Sequence, residues 1–191
     1  MTVAMSRLDA LAAALATARP VAITDPARRW AAVSAILVSD PDAILLIRRA
    51  ERSGDPWSGH MALPGGRRTP ADHDLIDTAV RETAEEVGFE LERGQLIGQL
   101  DDVVPRTRVL PPVAVRPFVF RLDHRPAFRL NDEVAAAAWV PLSTLLSPEG
   151  HGRVTVQLHD GARVVPAYRF EQSVVWGMTE RILTLLFAQL R

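Results

Sequence analysis

Three glutamates crowd one short stretch of this chain, Arg81-Glu82-Thr83-Ala84-Glu85-Glu86-Val87-Gly88. On a helix, positions 82, 85 and 86 are separated by three and four residues, so their carboxylates share a face. That arrangement is unfavourable by itself. Like charges at this spacing repel by roughly 0.2–0.5 kcal/mol per pair. Glu85 and Glu86 also meet the negative end of the helix dipole, at a further cost of about 0.3–1 kcal/mol each. A bound divalent cation turns both penalties into attraction. Hard oxygen ligands on a rigid face suit Mg²⁺, and Mn²⁺ can replace it. The plainer reading is a solvated acidic face on which Arg81 pairs with Glu85 across one turn.

The residues just upstream weigh against the plainer reading. Leu63-Pro64-Gly65-Gly66-Arg67 precedes the acidic segment. Adjacent glycines permit close backbone approaches that other residues resist. Gly65 and Gly66 are therefore expected to lie against the substrate, and a backbone carbonyl there, that of Gly66, can join a metal shell. Arg48 and Arg49 close an apolar run, and a guanidinium pairs well with phosphate oxygens. They read equally as surface arginines. Arg106 and Arg108, between Pro105 and Pro111, are further candidates on a binding loop. The five histidines, His60, His73, His124, His151 and His159, lack metal-ligand spacing; His60 lies closest to the glycine turn. Trp57 and Trp176 either flank a base or pack in the core, and packing is the plainer reading.

These groups need elements to hold them. Residues 72–87 have helical apolar spacing at Leu75, Ile76, Ala79, Val80 and Val87. An Asp at 72 or 74 can cap that helix, and Gly88 ends it. Residues 31–38 and 43–48 are aliphatic and β-branched around the turn Asp40-Pro41-Asp42, which predicts a hairpin. Strands follow near 95–104, 113–122 and 136–140, and a second hairpin at 153–165 turns at Asp160-Gly161. Residues 1–20 predict an amphipathic helix, with Ser6 near its N-cap and Pro20 beyond its end. The stretch 172–190 predicts another, with Val175, Met178, Ile182, Leu185 and Leu186 on its apolar face. That face either covers the sheet or forms a homodimer interface. Strands interleaved with single helices imply an α/β fold with a mixed sheet between helical layers.

The chain has 191 residues, 48% of them hydrophobic, which suits a single domain spanning 1–191. A formal charge of −1 excludes bulk attraction to nucleic acid or an anionic membrane. No apolar run reaches the roughly 18 residues that a spanning helix needs. Cysteine is absent, which excludes a disulfide, a thiolate metal site and a cysteine nucleophile, and fits a cytoplasmic protein. Asp9 and the dispersed Arg7 and Arg19 argue against reading the N-terminus as a signal peptide.

The stretch GGRRTPADHDLIDTAVRETAEEVGF resembles the signature of Nudix hydrolases: Gly, five residues, Glu, seven residues, then Arg-Glu-aliphatic-x-Glu-Glu-x-Gly-aliphatic. Arg81, Glu82, Glu85, Glu86, Gly88 and Phe89 fall in register. Counting back from Arg81, the isolated Glu position is His73; counting from Gly66 it is Asp72. The box thus carries a one-residue insertion and Asp for Glu, and Thr83 replaces the aliphatic residue. LLIRRAERSGDPWSGHMALPGG, VRPFVFRL and Val175–Leu183 resemble the coenzyme A pyrophosphatase-like branch. That branch's Leu-Arg-x-His-x-Gly motif keeps only its glycine in Gly54-Asp55-Pro56-Trp57-Ser58-Gly59, so coenzyme A, another nucleoside diphosphate derivative and a nucleoside triphosphate all stay open as substrates. The resemblance implies a Nudix-type α/β/α sandwich with terminal helices that hydrolyses a diphosphate linkage in a small nucleotide. It implies Glu82, Glu85 and Glu86 as metal ligands together with the Gly66 carbonyl, and Arg81 orienting a glutamate. The general base is then a helix glutamate or Glu133, which stands before the next strand. A module that kept the fold but lost catalysis is the alternative from another class; the three intact glutamates argue against it.

Overall fold

The computed structural model describes residues 5–25, 28–54, 58–106, 112–158 and 161–190. Two parallel strands form its centre. β1 (Arg29–Val38) and β6 (Val113–Leu122) stay in register from Arg29↔Val113 to Val38↔Leu122. Both are nearly all apolar, as strands covered on two faces must be. Their side chains alternate between two separate cores. Ala31, Ala35 and Leu37 join Val113, Val115 and Val119 on one face; Ala32, Ile36 and Val38 join Phe118, Phe120 and Leu122 on the other. Helices α1 (Arg7–Thr17) and α4 (Gly177–Ala188) cover the first face through Leu8, Leu11, Leu15, Ile182, Leu183 and Leu186. Helix α2 (Leu75–Val87) covers the second through Ala79 and Val87. The result is the expected α/β/α sandwich with terminal helices. Among the described residues no helix is long and apolar enough to cross a membrane.

The sheet is mixed. β2 (Ala43–Arg49), β3 (Met61–Ala62), β4 (Gly65–Arg67), β5 (Leu96–Gln99) and β7 (Val134–Pro141) pair antiparallel around the central strands, in the order β3-β2-β1-β6-β5 with β4 on β1 and β7 on β2. The hairpin expected from 31–38 and 43–48 pairs only at its turn end, Leu37↔Ile44 and Val38↔Ala43. Along its other edge β2 pairs with β7 over its whole length, from Ala43↔Pro141 to Arg49↔Val134. The freed edge of β1 takes the glycine turn instead, from Ala31↔Arg67 to Val33↔Gly65. This splaying brings the sequence-distant glycines under the acidic helix.

Several boundaries differ from the sequence reading. α2 begins at Leu75, because Asp74 is the cap: its side chain accepts from the Asp77 N–H at 2.8 Å. α1 is shorter than residues 1–20, with Ser6 and Asp9 forming a reciprocal cap. The strand expected at 95–104 stops at Gln99, although Val103 still bridges Val115. The second hairpin is longer than 153–165: β8 (His151–Leu158) pairs with β9 (Gly161–Phe170), and the predicted turn residue Asp160 lies outside the described residues. The stretch expected to be helical from 172 first forms β10 (Ser173–Trp176), since the β-branched Val174-Val175 pair extends the sheet along β9 before Gly177 starts α4. A short helix, α3 (Leu142–Leu145), was not foreseen. Of the apolar face expected on the C-terminal helix, Val175 lies on β10, and it and the α4 residues Ile182 and Leu186 are buried in the first core, where they cover the sheet.

Candidate active site

The glycine turn and the acidic helix are fitted to each other with no room for side chains. Gly65 has φ 149°, and a Cβ there would sit 2.2 Å from the Ala32 carbonyl oxygen. At Gly66 a Cβ would sit 2.5 Å from the Glu82 carboxylate carbon. Any larger residue at 66 displaces that carboxylate; any at 65 pushes β4 off β1. The Gly65 N–H donates to Glu86 Oε2 at 2.9 Å, so the turn also orients a second glutamate.

Arg81 uses all five of its donors. Nε and Nη2 fork onto Asp72 Oδ1 and Oδ2 at 2.8 and 3.0 Å. Nη1 donates to Glu82 Oε1 at 2.9 Å and Glu85 Oε2 at 3.2 Å, and Nη2 also to the Arg67 carbonyl at 3.1 Å. The pairing of Arg81 with Glu85 is therefore real but is one of five bonds. Asp72, 6% exposed, also accepts from the Thr69 N–H at 2.8 Å and the Thr78 hydroxyl at 3.0 Å. The Arg81 fork holds its carboxyl well below the usual carboxylate range, and Asp72 in turn raises Arg81.

The three glutamates are not equivalent. The Glu85 side chain is 54% exposed and that of Glu82 15%, while Glu86 as a residue is 2% exposed. Burial pushes Glu86 up to about 7, against the Gly65 N–H that favours its charged form; Glu82 and Glu133 push it further up, and Arg49 pulls it down. Burial also raises Glu82, opposed by Arg81. Among the described residues, no three His, Cys, Asp or Glu side chains are gathered closely enough to hold a metal ion by themselves. The donor set nonetheless fits one: all its groups are hard oxygens, and the most buried carboxylate has a single hydrogen bond and two acidic neighbours within its field.

The remaining predicted residues separate. Arg49 lies close enough to act on Glu86. Arg48, its neighbour across a β-bulge, is exposed and touches none of the helix carboxylates among the described residues. Glu133 acts on both Glu82 and Glu86, and its Oε1 accepts from Arg52 Nη1 at 2.9 Å. The His60 ring lies against that of Trp176 at a 58° tilt, centroids 4.7 Å apart. Arg106 faces Arg181, whose Nη1 donates to the Val104 carbonyl at 2.6 Å. Arg108, Trp57 and His159 lie outside the described residues.

A family model described as the NUDIX domain matches residues 28–158, most of the chain and the whole of this site. The chain belongs to the Nudix hydrolase family. It is 32% identical over 165 residues to a Nudix hydrolase, NudL, of Photorhabdus laumondii, which covers 85% of this chain and 86% of that relative. A protein of Schizosaccharomyces pombe is 45% identical over 118 residues, 59% of this chain, and the match spans only 36% of that longer protein. A Nudix-family protein of Enterococcus faecalis superposes with a TM-score of 0.63 at 19% identity, covering 87% of this chain and 63% of that one. The Nudix domain of Shewanella oneidensis NrtR, solved with ADP ribose, superposes at 0.52 with 21% identity, over 71% and 85% of the two chains. The expected enzyme class, pyrophosphohydrolases of this family, is thus met.

Both departures in the Nudix box have a structural account. The inserted residue and the Asp-for-Glu exchange go together. Asp72 sits in the turn before α2, and from there its short side chain reaches the Arg81 fork. His73 only contributes backbone, its N–H to Asp77 and its carbonyl to Arg68. Thr83 is fully buried where an aliphatic residue was expected, and its hydroxyl bonds Ser34 Oγ at 2.9 Å and the Ala79 carbonyl at 2.8 Å. Sequence reasoning offered Asp72 as a helix cap or as the Asp in place of the box's isolated Glu, without its Arg81 partner, and missed Arg52 as the holder of Glu133. The one available signal for Asp72 was its count of five residues after Gly66.

Proposed function

We propose that the chain hydrolyses the diphosphate linkage of a nucleotide derivative with Mg²⁺ or Mn²⁺, and that coenzyme A and its derivatives are its first substrate class. The observation that carries this reading is Glu86: a carboxylate 2% exposed, held by one backbone N–H beside two further acids, which no purely structural role requires. Glu82, Glu85 and Glu86 would hold the metal with the Gly66 carbonyl. Bound there, the cation supplies charge neutralisation on the diphosphate oxygens and a water of lowered pKa. Arg81, anchored on Asp72, orients Glu82 and Glu85. Arg49 faces substrate oxygens beside Glu86. Glu133 is the general base: Arg52 engages its Oε1, which leaves Oε2 to take the proton from the attacking water. The reaction takes place in the cytoplasm.

A substrate panel with Mg²⁺, Mn²⁺ or EDTA, products resolved by chromatography, tests it. Metal-dependent release of 3′,5′-ADP and phosphopantetheine from coenzyme A, above ADP-ribose, dinucleoside polyphosphates and nucleoside triphosphates, is expected. A preference for another substrate keeps the hydrolase and discards coenzyme A. No turnover of any substrate leaves a nucleotide-binding module.

A further inference from the structure

A groove at the start of β1 plays no part in the chemistry above. Arg29, Trp30, Arg67, Arg68, Thr69 and Pro70 line a cavity of about 560 Å³. The lining holds three guanidiniums and no acid, in a chain whose formal charge is −1. Among the described residues, Arg29 and Arg67 have no carboxylate partner. Arg68 Nη2 donates only to the carbonyls of Asp72 and His73, at 3.3 and 3.1 Å, which leaves its charge uncompensated. Arg116 differs: it forks onto Asp102 at 2.8 Å through both nitrogens, and its guanidinium lies 5.1 Å from the centre of the Trp30 ring, propping that wall.

The wall is tied to β1 and to the acidic helix. The Arg68 N–H donates to the Trp30 carbonyl at 2.9 Å, and Arg67 pairs with Ala31. Arg67 follows Gly66, which abuts Glu82, and the Arg67 carbonyl accepts from Arg81. The groove thus begins one residue beyond Gly66, whose carbonyl is proposed above as a metal contact. A cation held by the α2 glutamates would neutralise the scissile diphosphate, so three more guanidiniums without a carboxylate suit a further anion. Their planar forks match phosphate oxygens. We propose that this groove binds a phosphomonoester carried on the nucleoside part of the substrate, apart from the diphosphate that is cleaved. The inference rests on the nucleotide-derivative reading above.

Calorimetry on the full chain in EDTA, with adenosine 3′,5′-bisphosphate and AMP as probes, tests it. The parent is expected to bind the bisphosphate at least about tenfold more tightly, and Arg29→Gln/Arg67→Gln to lose about tenfold for the bisphosphate while AMP affinity holds. If the double variant melts early, Arg29→Gln alone, at the exposed strand start, is expected to move affinity in the same direction. Equal affinity for the two probes, no binding of the bisphosphate, or equal loss of both probes overturns the proposal. The hydrolysis panel fails separately: no turnover with this binding pattern intact removes the enzyme and keeps the groove, whereas turnover without the preference does the reverse.

Discussion

The two faces of the central sheet are built to opposite rules. On the side of α1 and α4, leucines, isoleucine and valines fill the core, and Glu180 is the buried charged group among the described residues. On the side of α2, Ser34, Thr78, Thr83, Asp72 and Glu86 are all buried around the helix. An apolar layer stabilises whatever its detailed chemistry, because burial scales with area. A polar layer is stable only if each group finds its partner. Here the second layer is where side chains must be aimed, and the first supplies the stability that tolerates a crowded acidic helix.

Matched substitutions on the two faces break this comparison most directly. Glu86→Gln is expected to lower hydrolysis about 1000-fold, a loss of about 4 kcal/mol, while the melting temperature in EDTA stays level or rises, because a buried charge beside two acids is removed. Leu183→Ala, fully buried on the other face, is expected to cost about 2–5 kcal/mol of stability and to leave kcat per folded molecule unchanged in the cold. Denaturant melts and kinetics on both variants check the pair; a large stability loss at 86 or a kinetic loss at 183 would sink the division of labour.

Asp72→Asn sharpens it, since this group belongs to both roles. Removing the charge takes the carboxylate fork from Arg81, whose side chain is 28% exposed and keeps Glu82 and Glu85 as partners, at about 1.5–3 kcal/mol, and frees Arg81 from the geometry that aims those two glutamates, lowering kcat about 10–100-fold by analogy with groups that orient metal ligands. Its folded-state pKa is depressed, so its contribution is present above the ordinary carboxylate range, about pH 4, and is lost as pH falls through and below it. Melts from pH 7 downward should therefore fall less steeply for the variant than for the parent. Parallel slopes would deny the Arg81–Asp72 pair its stabilising role.

The smallest effect tests the hydroxyl staple. Thr83→Val takes from the buried Ser34 hydroxyl the donor it accepts from and leaves it only its 3.2 Å bond to the Ala79 carbonyl, at about 1–2 kcal/mol, whereas adding Ser34→Ala removes both polar groups and should recover part of that loss. Strict additivity in a double-mutant cycle would mean the two hydroxyls do not act together.

Local pattern made much of the site legible. The i, i+3 and i+4 spacing of Glu82, Glu85 and Glu86, the Asp and Gly that bound their helix, and the adjacent glycines are short-range features, and they appear as read. Val174-Val175 misled because one helical stripe can hide a short strand when a distant strand, β9, is there to pair with it. Arg48 and Arg49 could not be told apart, because a β-bulge decides which one turns toward Glu86.

Sequence alone thus determined the fold class, the family and the identity of the acidic helix, since these depend on periodicity and on residues near one another in the chain. Only the tertiary structure decided that Glu86 is buried while Glu85 is exposed, that Thr83 answers a hydroxyl 49 residues away, that Gly66 is pressed against Glu82, and that Asp72 rather than a glutamate anchors Arg81. The first three depend on how α2 packs on β1 and on the glycine turn paired to its edge, and the fourth on the turn that leads into α2. Desolvation and partnership depend on what covers a group, and neighbours in the chain do not specify that.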